Sequence, residues 1–188
     1  MKKRFLSLWF RHLKTDWMTV CKPYLQKYPF VLAIKKQGRL IVNASNLLAE
    51  KEGIYPGMAV ADAKAFFPSL IVINEQSGLA EKLLDFIAHW CLRYSPNIGC
   101  DNPDGIILDI SGCAHLWGGE KHYLKKVVSR FQEHGYDVLG GIADTIGAAW
   151  AVARFSEGDK IIEVGKQLNA LLALDPLAYD WNQFKYSD

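Results

Sequence analysis

The stretch NPDGIILDISGCAHLWGG, residues 102–119, decides how the chain is read. Ile106, Ile107, Leu108 and Ile110 form an apolar, β-branched run, with Asp104 before it and Asp109 within it. Asn102-Pro103 precedes the run as a turn signal, and Ser111-Gly112 follows it. An apolar run bounded by turn residues reads as a buried strand. The residue after Asp104 is Gly105, which has no side chain to offer as a ligand. Asp109 is five residues beyond Asp104 and falls on the opposite strand face. A single aspartate inside Pro-Asp-Gly reads first as a turn residue.

Working outward, Asn97 to Cys100 is a preceding strand and Tyr123 to Glu133 an amphipathic helix, with Leu124, Val127, Val128 and Phe131 on one face. Val138 to Ile142 reads as a strand, Thr145 to Arg154 as a small-residue helix and Leu168 to Leu174 as a last helix. Upstream, a long helical pattern begins at Ser77 and stops at Ser95-Pro96. Residues 4–10 form a first strand, and a helix follows over about 13–26. Phe30–Ile34 and Arg39–Val42 are two strands joined by a Gln37-Gly38 turn. A helix over 45–52 has Ser45 as its candidate N-cap and Gly53 as its stop. Val60 to Phe67 is a short helix, and Leu70 to Ile73 a strand. This order predicts an α+β protein: a mixed sheet with helices packed on one face, plus a smaller α/β subdomain.

Bulk properties narrow the function. The chain has 188 residues, 50% of them hydrophobic, enough for a substantial core. Twenty-two basic and 20 acidic residues leave a net charge of +2, without the basic excess that advertises nucleic-acid binding. Lys2, Lys3 and Arg4 read as a solvated chain end. No apolar run is long enough to span a bilayer, and the first apolar stretch, Phe5 to Phe10, is too short for a secretory signal, so a cytoplasmic protein is expected. Cys21, Cys91, Cys100 and Cys113 show no zinc spacing, and the histidines are scattered.

Four blocks, in order, carry a resemblance: NASNLLAEKEGIYPGM (43–58), ADAKAFFPSLIVI (61–73), RYSPNIGCDNPDGIILDISGCAHLWGG (93–119) and GGIADTIGAAWAVARF (140–155). Together they resemble the palm and fingers of Y-family (UmuC/DinB-like) translesion DNA polymerases. The LSLWF start and the GCAHLWGGE segment are similar to the ImuB type within that family. The resemblance implies a polymerase palm over 1–28 and 77–178, a fingers subdomain over 29–76 and a C-terminal tail at 179–188. The family's thumb and little-finger domains have no counterpart in these 188 residues, which suits a fragment, a truncated gene or half of a split protein. The ImuB type implies a protein without polymerase activity that serves the SOS response as an adaptor in damage-induced mutagenesis. Its implied partners are a sliding clamp, an error-prone replicative-type polymerase and the RecA-like ImuA, with weak DNA binding and no membrane.

Position by position, the resemblance implies a lost active site. The family's first-strand acid falls at Trp9, a second acid at Arg11 and the sugar-sensing aromatic at Lys14. The Asp-Glu pair of the central strand falls at Asp104-Gly105, leaving Asp104 as the one surviving candidate metal ligand. The Tyr and Arg that meet the triphosphate fall at Leu47 and Glu50, and a phosphate-binding Lys falls at Trp150. Two-metal transfer needs several carboxylates around cations roughly 4 Å apart. Losing these together with the phosphate contacts leaves nothing to supply the rate, because phosphoryl transfer is mostly positioning and charge stabilisation. No cofactor is expected; magnesium belongs only to the alternative, an active error-prone polymerase with displaced carboxylates.

Other motifs carry milder readings. Trp117 reads as a packed aromatic at a strand-to-helix turn rather than a partner-binding tip. Gly140-Gly141 reads as a bulge or a close backbone approach rather than a phosphate cradle. Lys125, Lys126 and Arg130 suit a solvated helix face as well as a phosphate backbone.

Overall fold

In a computed structural model that describes residues 2–174, contacts divide the chain into two units. The expected tail at 179–188 lies outside the described residues. Among the described residues, the larger unit comprises 2–11, 84–133 and 138–174; the smaller comprises 12–83 and 134–137. The sequence placed these divisions at 28/29 and 76/77. The difference arises because the first helix packs with the smaller sheet.

The larger unit is built on a five-stranded mixed sheet of order β5-β6-β1-β7-β8. Strand β1 (Phe5–Phe10) is central, pairing antiparallel with β6 (Gly105–Asp109) on one side and β7 (Val138–Ala143) on the other. Strand β5 (Asn97–Asp101) closes one edge antiparallel to β6, and the short β8 (Lys160–Ile161), which the sequence pattern did not reveal, runs parallel to β7. Helix α5 (Glu120–Glu133) packs on the sheet face that carries Leu6 and Gly140, where a Cβ at Gly140 would sit 2.5 Å from Leu124 and 3.0 Å from Val128. Helix α6 (Ile146–Phe155) takes the opposite face: a Cβ at the next residue, Gly141, would collide with the Ala149 carbonyl and lie 2.7 Å from the Ala153 nitrogen. Successive strand residues point to opposite faces, so the glycine pair seats two helices on two faces rather than the single covered face expected. The β1–β7 register runs unbroken through it, so close approach is the reading that holds.

Helix α6 is short-sided by composition. Its run from Ala148 to Ala153 is buried, and the Thr145 hydroxyl caps it by accepting from the Ala148 N–H. Phe131 of α5 stacks edge-on against Phe10 and Trp90, and Trp117 packs 5.2 Å from Tyr94 with Lys126 above its ring. Trp90 belongs to α4 (Leu79–Cys91).

The smaller unit holds a three-stranded sheet of order β3-β2-β4. Strands β2 (Phe30–Lys36) and β3 (Arg39–Ser45) form a hairpin whose turn residues Gln37 and Gly38 both adopt positive φ, as tight hairpin turns require. Strand β4 (Ile71–Asn74) joins β2 in parallel. Helices α2 (Leu47–Lys51) and α3 (Val60–Phe66) contribute Ala49, Val60 and Ala63 to one core with Val31, Ala33 and Val42. Met18 of α1 (Leu13–Cys21) packs in a second core with Leu25, Phe30 and Leu32, and the Thr15 hydroxyl donates to the Ser45 carbonyl. The N-cap of α2 is Asn46, not Ser45: the Asn46 Oδ1 accepts from the N–H groups of Ala49 and Phe30 at 3.0 Å each. Ser45 ends the strand instead, with its hydroxyl buried and without a hydrogen-bond partner among the described residues. Beyond α6, residues Gln167–Leu172 form α7, and no described helix is long and apolar enough to cross a membrane.

Candidate functional site

Across the sheet of the larger unit, Asp101, Gly105 and Trp9 stand side by side: Asp101 pairs with Gly105 and Trp9 pairs with Gly105. Directly opposed residues share a face, and this is the face that α6 covers. From α6, Arg154 reaches this row. Its Nη2 donates to Asp101 Oδ2 at 3.1 Å and to Asp104 Oδ1 at 2.9 Å. The Trp9 indole N–H donates to the other Asp104 oxygen at 3.0 Å. The guanidinium carbon lies 4.5 Å from the Trp150 ring centre and 5.7 Å from that of Trp9, so two indoles wall it in. Trp9, Asp104, Gly105 and Trp150 are thus brought together, and what gathers them is an arginine.

Burial pulls the Arg154 pKa below its usual value, while Asp104 and Asp101 push it back up. A guanidinium remains cationic under such competition. The side chain is only 10% exposed, and Nη1 is buried with no partner among the described residues.

A family metal ion does not fit this arrangement. Asp104 has both oxygens engaged, and Trp9 and Gly105 supply none. Magnesium takes oxygen ligands in near-octahedral geometry. A divalent ion about 4 Å from a guanidinium would be repelled by about 8 kcal/mol at an effective dielectric of 20. Among the described residues, no group of three or more His, Cys, Asp and Glu side chains is placed to hold a metal.

The smaller unit holds the remaining positions. Lys14 donates to both oxygens of Glu75 at 2.9 and 3.0 Å, and Asn43 donates to the same carboxylate at 2.8 Å. Glu50 faces His12 Nε2 at 3.1 Å, and Asp137 faces His12 Nδ1 at 3.1 Å. Leu47 is 52% exposed on the first turn of α2, and Arg11 is exposed in the larger unit. Sequence reasoning missed Arg154, Asp101, His12 and Glu75. The available signal for Arg154 was its spacing, one helical turn after Trp150.

A family model, described as the impB/mucB/samB family, matches residues 8–154. The chain belongs to the impB/mucB/samB family. This is the Y-family (UmuC/DinB) lineage that the four sequence blocks resemble. Protein ImuB of Caulobacter vibrioides, in two strains, is 41% identical over 122 residues, covering 65% of this chain and 27% of ImuB. Among solved structures, DinB from Sulfolobus solfataricus superposes with a TM-score of 0.73 at 19% identity, covering 90% of this chain and 50% of that one. The insertion ternary complex of Dbh DNA polymerase gives a TM-score of 0.77 at 19% identity, with 93% and 53% covered. The family member described here therefore has the polymerase palm-and-fingers fold. It spans about a quarter of the curated relatives' length and about half of the solved polymerase chains.

Proposed function

We propose that this chain is the palm-and-fingers part of a non-catalytic, ImuB-like member of the Y family, acting as an adaptor in DNA-damage-induced mutagenesis and translesion synthesis. The observation that carries this reading is the Asp101–Arg154–Asp104 bridge: the carboxylate a polymerase would turn toward metal is spent on an internal cation. The Lys14–Glu75 pair and the Glu50–His12 contact support it, since the family's sugar-gate and triphosphate positions are likewise engaged within the protein. The 41% identity to Protein ImuB supports the adaptor assignment. The partners follow from that likeness: a sliding clamp, an error-prone replicative-type polymerase and a RecA-like ImuA for the whole protein, with weak DNA contact from this part. The net charge of +2 accords with weak contact.

Primer extension tests the reading. The chain, alone and within its full-length protein, should incorporate no nucleotide with magnesium or manganese present. Incorporation that Asp104→Ala abolishes would establish the active polymerase in its place. Damage-induced mutation frequency in a deletion strain, restored by the intact gene and by an Asp104→Ala copy alike, is the expected genetic result.

A further inference from the structure

We infer that Arg154 is a tethered cation standing where a divalent metal ion would bridge Asp101 and Asp104, and that removing its guanidinium uncovers a metal-binding carboxylate pair. This rests on the non-catalytic reading and names the residue that enforces it.

Three features carry the inference. First, the contact is not the usual fork, in which two guanidinium nitrogens grip one carboxylate. A single nitrogen, Nη2, bridges oxygens of two different carboxylates, at 3.1 and 2.9 Å, which is how a metal ion is shared. Second, Nη1 is buried with no acceptor among the described residues, although a buried donor left unpaired costs about 1–3 kcal/mol. A pair selected only for stability would have used both nitrogens; this head group is seated as a point charge. Third, Gly105 is what admits it. A Cβ at residue 105 would lie 2.9 Å from Asp101 Oδ2 and 3.0 Å from Arg154 Nη2. A side chain at position 105 would therefore require the ends of Asp101 and Arg154 to shift from this bridge.

With the guanidinium gone, Asp101, 7% exposed, and Asp104 would face each other without a counter-charge. A divalent ion is the smallest group that restores neutrality, with water completing its shell.

The experiment uses the full chain without DNA or nucleotide. Wild type, Arg154→Met and Arg154→Lys are titrated with manganese(II), read by electron paramagnetic resonance and by thermal unfolding; methionine keeps an apolar stem between the two indoles. In chelator, Arg154→Met should melt below wild type. Millimolar manganese should raise its Tm by about 4 °C or more, with a bound-manganese signal that Asp101→Asn in the same background removes. Wild type and Arg154→Lys should show neither effect. The inference is overturned if wild type seats manganese at this pair, or if Arg154→Met gains no stability from manganese, including the case in which it stays unfolded with the metal present. Nucleotide incorporation by wild type would instead sink the non-catalytic reading, whatever the manganese result, so the two failures are told apart.

Discussion

At the scale of single residues, Gly105 and Arg154 form a coupled pair that a double-mutant cycle can measure. Gly105→Glu places a side chain into Asp101 and the guanidinium, and overpacking of this kind costs about 1–3 kcal/mol. In urea denaturation the single variant should be less stable than wild type, and combining it with Arg154→Ala should give a coupling energy above about 0.5 kcal/mol in magnitude. Cysteine chemistry gives a second check. Burial pushes the Cys91 thiol up to about 12, so it should resist a thiol reagent until the protein unfolds. Cys21 and Cys100 are exposed and should react in the native state. Cys100 should be sluggish, because partial burial and the neighbouring Asp85 both raise its pKa. The sequence reading set the family's acid and lysine positions at 9, 105 and 150 from the resemblance. That all three converge on Arg154 was not legible: an ion pair between β5, the β5–β6 turn and α6 leaves no local pattern in a sequence.

At the scale of elements, the glycines of β7 and α6 make opposite predictions. Gly141→Ala drives a methyl into the α6 backbone, which cannot yield as a flexible side chain would. It should cost about 3 kcal/mol or more in chemical denaturation, at the upper end of overpacking losses. Gly147 lies in the first turn of α6 with open space around it. Gly147→Ala should stabilise by about 0.5–1 kcal/mol through helix propensity and reduced chain entropy. The order of elements was legible because apolar spacing switches cleanly between periods of two and 3.6. The misassigned cap shows where local chemistry misleads. Ser45 and Asn46 are both good caps by type, and only the tertiary bond from Phe30 N–H to Asn46 Oδ1 decides between them. Strand β8 has two residues and no periodicity to detect.

At the scale of the whole molecule, the larger unit is tied together by Arg4. Its guanidinium reaches Glu120 at the start of α5, Asp144 after β7 and the Ile162 carbonyl. The Gly165 N–H and then Arg4 hold the Asp144 carboxyl below its usual value of 3.8. Such a group contributes stability above that value and loses it as the pH falls through the lowered folded pKa. An acid titration followed by tryptophan fluorescence should show wild type losing stability below about pH 4. Asp144→Asn should be less stable near neutrality and flatter in that window. The sequence reading set its divisions at 28/29 and 76/77, while the contacts divide the chain after residues 11 and 83, since nothing in residues 13–21 announces which sheet their helix will cover.

The buried bridge in the larger unit also works as a ratchet. A mutation returning an acid to position 105 meets the arginine, and one returning an acid to position 9 sets a carboxylate near Asp104 while discarding the indole bond. Losing the arginine first strands two anions. Each of these single changes is expected to lower stability while the palm fold stays in place.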